Sequence, residues 1–411
     1  MTEFLKEAKQ SSRIVSQLTG KEKNKILLQM ATALRENNKN IIEENKKDMV
    51  NADKNNLSGA LKDRLLLDEN RIDAMAVAIE EIAALKEPTG KILEGWITDD
   101  DLKIEKVSVP IGVVGIIYES RPNVTSDTAA LCFKSGNVCV LKGGKEAQYS
   151  NEVIAKYLRE VLISNNLPKE IISLLPDATR EGVATLIKMD KYVDLIVPRG
   201  GEALIKYISQ NSSVPVIKHD KGQCHIYVDK DAKIENVIKI AINAKCQRPG
   251  VCNAMETLLI DQGIAKELLP TIKNAFDKEG TELRGCSATQ NIIEVKNATD
   301  EDFHTEYLAN ILNIKLVDGV DGAISHIAEY GSGHSESILS ENITTSEKFL
   351  NSVDASSVYV NASTRFTDGG SFGFGAEVGI STNKLHARGP MGIEGLTTYK
   401  FKIYGNGQAR G

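Results

Sequence analysis

The chain has 411 residues, of which 41% are hydrophobic, more than one core would hold, so two or three packed regions are expected. Its 50 Lys and Arg against 56 Asp and Glu leave a formal charge of -6 with both signs interspersed. That excludes the footprint of a duplex nucleic-acid binder but leaves room for a local cationic site for a phosphorylated ligand.

The six cysteines form no Cys-x-x-Cys pair and no ordered spacing with histidine, so neither a metal site nor a disulfide framework is indicated. Charges stand where a signal peptide needs an apolar core, and no run of about 18 apolar residues occurs. A soluble, reduced, cytoplasmic protein with neither membrane nor nucleic acid as partner is expected.

From Ser11 to Leu85 the pattern is helical. Thr19 and Glu22 form a capping box ahead of Ile26, Met30 and Leu34, and Asp68 caps a later helix whose core face is Ile72, Met75, Ile79 and Ile82. Between Gly90 and Pro110 the period changes: Trp96-Ile-Thr and the stretch from Leu102 alternate as in a hairpin. A two-stranded ribbon cannot bury itself. The alternating tail Thr397-Thr-Tyr-Lys-Phe-Lys-Ile-Tyr is its expected partner, and assembly into a homo-oligomer is expected with it.

From Ile111 short apolar strands alternate with helices. Strands are read at 113–117, 138–141, 171–175, 193–197 and 214–217, and helices at 126–134, around 153–161, at 181–189 and at 202–210. This predicts a parallel sheet covered on both faces, with ligands at its strand ends. After Ile226-Tyr-Val-Asp comes a second α/β region, with a helix over 234–244, a turn at Cys252, a strand to Ile260 and a helix on Leu268, Ile272 and Phe276. The Gly-, Ser- and Thr-rich stretch from Ser332 reads as loops over a cleft.

Pro249-Gly250 breaks the helix before Cys252, so this thiol sits where backbone amides are left free. Taken alone, a single cysteine is more often a small buried hydrophobe. Gly143-Gly144 and Gly200-Gly201 are weak signals alone, since neither completes a Gly-x-Gly-x-x-Gly fingerprint. Each pair lies between a strand and a helix, however, where a dinucleotide can rest on the sheet edge.

Four segments carry a resemblance that spans nearly the whole chain. They are Tyr-Glu-Ser-Arg-Pro-Asn-Val-Thr (118–125), Lys-Ser-Gly-Asn-Val-Cys-Val-Leu-Lys-Gly-Gly-Lys-Glu-Ala (134–147), Gln-Arg-Pro-Gly-Val-Cys-Asn-Ala-Met-Glu-Thr-Leu (247–258) and His-Ala-Arg-Gly-Pro-Met-Gly (386–392). The sequence resembles the aldehyde dehydrogenase superfamily, in its branch of γ-glutamyl phosphate reductases. The resemblance implies an α/β, aldehyde-dehydrogenase-like fold: a Rossmann-type cofactor domain (1–97 and 110–228), a catalytic domain (229–365), loops returning over the cleft (366–396), and a β oligomerisation ribbon (98–109 with 397–411).

It also implies roles. Cys252 is the nucleophile, and Asn123 with the Cys252 backbone N–H forms an oxyanion hole. Lys142 contacts the adenosine ribose, Gly200 and Gly201 lie at the cofactor, and Glu306 holds the nicotinamide ribose. Arg121, Arg248, Glu377 and Arg388 are candidates for the substrate's charged groups.

The implied reaction is NADPH-dependent reduction of L-glutamyl 5-phosphate to glutamate 5-semialdehyde. Aldehyde-oxidising members carry a glutamate that activates water where this chain has His219, which fits a reductive direction. In NAD-using relatives the residue three beyond the Lys142 equivalent is often a glutamate; here it is Lys145, which favours NADP+. The rival readings are an oxidative NAD-dependent aldehyde dehydrogenase and a non-catalytic protein on the same fold. Cys246 is read as a packing residue at a helix end.

Overall fold

The computed structural model describes residues 1–217 and 221–410. The chain divides into two compact units, Met1–Lys218 with Gly373–Gly379 and Met391–Gly411, and His219–Phe372 with Ile380–Pro390.

The first unit opens with helices α1 (Thr2–Val15), α2 (Gly20–Glu36), α3 (Asn38–Lys54), α4 (Gly59–Leu65) and α5 (Glu69–Ala84). The capping box at Thr19 is present, and the Asp68 carboxylate accepts the Arg71 N–H at 2.8 Å. Ile26, Met30, Leu34, Ile72, Met75, Ile79 and Ile82 are all buried, as their spacing requires. Each such side chain contributes about 1.5–3 kcal/mol.

The strands β1 (Ile92–Ile97) and β2 (Lys103–Pro110) follow, and β2 pairs antiparallel with the C-terminal strand Thr397–Tyr404, so the tail completes a three-stranded ribbon. Because β1 pairs with β2, a domain boundary at residue 97 would cut a continuous ladder.

Next come β3 (Val113–Tyr118), α6 (Pro122–Lys134), β4 (Val138–Lys142), α7 (Gln148–Ser164), β5 (Ile172–Leu174), α8 (Arg180–Leu186), β6 (Leu195–Arg199) and α9 (Glu202–Asn211). Helix α6 starts four residues before its predicted start because Pro122 fits the first turn, where no backbone donor is needed. The four strands form a parallel sheet in the order β5-β4-β3-β6. Chain direction across the sheet reverses between β3 and β6, which makes their carboxyl ends a topological switch point. The predicted fifth strand, 214–217, contracts to an isolated bridge between Val216 and Ile196.

The second unit holds β7 (Cys224–Val228), α10 (Ile234–Cys246), β8 (Met255–Asp261), α11 (Ala265–Lys278), β9 (Glu282–Gly285), α12 (Ser287–Gln290), β10 (Lys296–Asn297), α13 (Asp300–Phe303), β11 (Ile311–Val317), α14 (Gly319–Tyr330), β12 (Ser335–Leu339), α15 (Ile343–Ser352) and β13 (Ser357–Val360). Its parallel sheet runs β10-β9-β11-β8-β7-β12-β13. Every residue of β8 is buried, and Leu258 and Ile260 join Leu268, Ile272 and Phe276 in one core.

Two expectations fail here. The boundary at 228 is wrong because β7 lies between β8 and β12 in this sheet, not in the first. The stretch from Ser332 is not all loop: apolar Ile338, Leu339 and Phe349 make β12 and α15 part of the core, and irregular chain begins only after Val360.

Candidate active site

In the second unit the segments that meet around Cys252 all precede strands. Cys252 comes just before β8, Gly222 before β7, and Glu306 before β11. Cys252 is partly exposed. The chain passes so closely over it at Gly222 that a Cβ there would overlap the Cys252 carbonyl and Cα. The Gly222 N–H donates to Glu306 Oε1 at 2.9 Å, and the Gln223 side-chain amide donates to Phe303 O at 2.9 Å, tying the Glu306 loop to the same segment. Below, the Cys224 thiol donates to the Cys252 carbonyl at 3.2 Å, and burial pushes its pKa well up. Cys224 is therefore a packing and hydrogen-bonding neighbour, while Cys252 is the thiol open to chemistry.

Asn253 locks the turn from the other side. Its carbonyl accepts from Thr364 Oγ1 at 2.8 Å, its Nδ2 donates to Thr367 O at 2.8 Å, and its Oδ1 accepts from Arg365 Nη1. This clamp carries the half-buried Arg365 to the Cys252 loop, beside exposed Arg248. It also shows why a boundary at 365 fails, since the residues on both sides of it hold Asn253. Sequence reasoning did not single out Gly222, Asn253 or Arg365.

Two pairs of ionisable side chains are fully buried beneath the loop. Lys245 Nζ meets Glu256 Oε2 at 2.7 Å, and His225 Nδ1 lies 3.0 Å from Glu336 Oε2. Burial raises the Glu256 carboxyl to about 7 against the pull of Lys245 and of the Leu308 backbone amide. Leu308 follows Glu306 by two residues and has φ 51°, a left-handed conformation costly for a branched side chain. Cys246, half-buried at the end of α10, contacts Thr281 Oγ1 at 3.4 Å. Among the described residues, no group of three or more His, Cys, Asp or Glu is arranged to hold a metal.

The first unit gathers its candidates at the carboxyl ends of β3, β4 and β6. Lys142 ends β4 half-buried, its pKa lowered by desolvation and partly restored by Glu146 and Glu119. Exposed Lys145 opens the following turn. The Glu146 carboxylate turns inward, accepting from the Ser120 N–H and hydroxyl at 2.7 Å each. A Cβ on Gly201 would meet nothing within 4 Å, whereas one on Gly200 would meet Leu204 and Glu119. Gly201 therefore leaves open shelf, and its N–H donates to Glu119 at 3.2 Å.

Arg121 is the N-cap of α6, and Asn123 is exposed in its first turn. One Asn123 amide hydrogen goes to Asp127 Oδ2 at 2.9 Å, leaving the amide's second hydrogen to act as a donor. Asp127 was not foreseen; desolvation pushes its carboxyl up to about 6.

Glu377 is half-buried in the segment Gly373–Gly379 of the first unit. Arg388 belongs to the second unit, where its Nη2 pairs with Asp354 Oδ1 at 2.6 Å, so a substrate carboxylate there competes with a resident one. His219, in the position of the missing base, lies outside the described residues.

These features match known proteins. The family model described as "Aldehyde dehydrogenase family" matches residues 1–283, and the chain belongs to that family. Proteins named gamma-glutamyl phosphate reductase from Sulfurovum sp. (strain NBC37-1) and Sulfurimonas denitrificans are 73% and 70% identical over 410 residues, covering 100% of both chains in each case. The crystal structure of gamma-glutamyl phosphate reductase from Thermotoga maritima superposes with a TM-score of 0.98 at 46% identity, covering 100% of this chain and 99% of that one. The chain thus falls in the γ-glutamyl phosphate reductase branch and is an oxidoreductase.

Proposed function

We propose that this chain reduces L-glutamyl 5-phosphate to L-glutamate 5-semialdehyde and phosphate, using NADPH, through a thioester on Cys252. The observation that carries this is the partly exposed Cys252 thiol, gripped through Gly222 and Asn253 and flanked by Arg248 and Arg365. The names of the full-length relatives supply the substrate class.

The Cys252 thiolate attacks the γ-carbonyl carbon. The C–O bond to phosphate breaks, and its electron pair leaves with the phosphate. Asn123 and the Cys252 N–H stabilise the tetrahedral oxyanion, each donor being worth about 3 to 4 kcal/mol in comparable sites. NADPH, when bound, supplies the hydride that reduces the thioester carbon. The resulting thiohemiacetal on Cys252 collapses, returning the thiolate and releasing the semialdehyde.

The family uses nicotinamide cofactors. Lys142, Lys145, Gly200 and Gly201 at the switch point suit a phosphorylated dinucleotide, with Lys145 toward the 2′-phosphate, and Glu306 is assigned to the nicotinamide ribose. Glu377 is assigned to the substrate ammonium, Arg248 to its phosphoryl group, and Arg121 with Arg388 to its carboxylate, because a desolvated zwitterion must be paired at both ends.

The exposed Trp96, Ile97, Phe401 and Ile403 of the ribbon suit a subunit contact in a homo-oligomer. No helix among the described residues is long and apolar enough to cross a membrane, and a cytoplasmic location is assigned.

The test is the reverse reaction with semialdehyde, NADP+ and inorganic phosphate. Strictly phosphate-dependent NADPH formation, lost in Cys252→Ala, is expected. Phosphate-independent oxidation would mean an aldehyde oxidase instead.

A further inference from the structure

The nucleophile loop faces an electrostatic difficulty. Anions are usually held where helix N-termini present free N–H groups and a positive dipole end. Here the helix leading into the loop is α10, which ends at Cys246 with Gln247 as its C-cap, so its near pole is negative and offers carbonyls instead of donors. Side-chain cations are thus the complement to a thiolate and a phosphoryl group that this helix end does not supply.

Arg365 has the placement for that. Its Nε donates to the Gln247 side-chain oxygen at 2.9 Å and its Nη1 to Asn253 Oδ1, so the guanidinium is fixed against the residues on either side of the Cys252 turn. Both acceptors are neutral amides, and among the described residues no carboxylate forms an ion pair with Arg365. Its charge is thus held in place by neutral amides, with Asp368 acting on it only through space. Burial, and then the nearby charge of Arg248, pull its pKa below the ordinary guanidinium range, while Cys252 and Asp368 pull the other way. Two neighbouring cations beside one thiol favour the binding of an anion there.

We infer that Arg365, with Arg248, forms the receptor for the departing phosphoryl group, and that Arg365 is a catalytic residue contacting phosphate oxygens. This rests on the reaction proposed above. In that reaction Arg365 hydrogen-bonds the phosphoryl oxygens as the C–O electron pair moves onto phosphate and the carbon–sulfur bond forms. In reverse it holds phosphate for attack on the Cys252 thioester.

The experiment compares wild type, Arg365→Gln and Arg365→Lys in two assays. In semialdehyde oxidation, Arg365→Gln should raise the KM for inorganic phosphate about 10- to 100-fold, the value of charged hydrogen bonds lost, with the KM for NADP+ unchanged. In the second assay, inorganic phosphate should protect wild-type Cys252 from iodoacetamide, Arg365→Gln should lose that protection, and Arg365→Lys should keep part of it.

An unchanged KM for phosphate, or equal protection of wild type and Arg365→Gln, would overturn the assignment. If Arg365→Gln fails to fold, Arg365→Lys decides, and protection equal to wild type again overturns it. A wild type that phosphate protects but that turns over without phosphate would refute the proposed reaction while leaving the anion receptor standing.

Discussion

In the first unit the candidate residues follow the strands β3, β4 and β6, at the carboxyl edge of a four-stranded parallel sheet; in the second they precede β7, β8 and β11, at the amino edge of a seven-stranded one. The first edge is a shelf. Its switch point, open Gly201 and half-buried Lys142 provide helix N-termini and a cation, which suit a long anionic ligand. The second edge is a clamp. There the chain reaches the site from helix carboxyl ends, so positive charge comes from Arg248 and Arg365, and rigidity from the Gly222 contact and from the buried Lys245–Glu256 and His225–Glu336 pairs. In the reading proposed above, binding and covalent chemistry ask different things of the same parallel-sheet architecture, and its two strand ends differ accordingly.

The largest effect expected from breaking this contrast lies under the clamp. Lys245→Met strands the buried Glu256 carboxyl beneath the Glu306 loop and should cost about 3–5 kcal/mol of stability, read by urea unfolding. A loss within error would mean that the pair is not part of the support.

Gly222→Ala forces the chain away from Cys252, and a displacement on the order of 1 Å should lower kcat about 100-fold while the fold persists. Unchanged kcat would show that the close approach is incidental.

On the shelf, effects should be smaller. Lys145→Glu replaces an exposed cation with an anion and should shift the NADPH-to-NADH preference about tenfold toward NADH. Constant selectivity would move the 2′-phosphate contact elsewhere.

A pH-dependent effect on stability concerns Asp127. Its carboxyl is raised to about 6 in the folded protein from an ordinary 3.8, so the folded state holds the proton more tightly. Ionised Asp127 therefore costs stability above pH 6, and the cost disappears as pH falls below 3.8. Asp127→Asn should raise Tm at pH 8 and not at pH 4; the opposite trend would show that Asp127 is stabilised as an anion.

What the sequence reveals follows the range of the interactions. The capping box at Thr19, the Asp68 cap, the face from Ile72 to Ile82 and the strand to Ile260 are set by neighbours a few residues apart and lie where the pattern puts them. The loop carrying Cys252 is legible for the same reason, through Pro249-Gly250 and the apolar run that follows. Gly222 and Arg365 were not, because their meaning depends on contacts with Cys252 and Asn253 made by distant parts of the chain. Alternation alone did not say which sheet β7 would enter, since a strand buried on both faces fits either. The 214–217 segment read as a strand because Val214, Val216 and Ile217 are apolar, yet it contributes only a bridge.

The central claim is that Cys252 carries the acyl group between phosphate and hydride. The most direct measurement mixes the protein with semialdehyde and NADP+ in the absence of phosphate, follows NADPH in the first turnover and maps the protein's mass by peptide. A single stoichiometric burst of NADPH, with a glutamyl adduct on the peptide containing Cys252 that phosphate releases, is the predicted result. Continuous turnover without phosphate, or an adduct on any other residue, would contradict it.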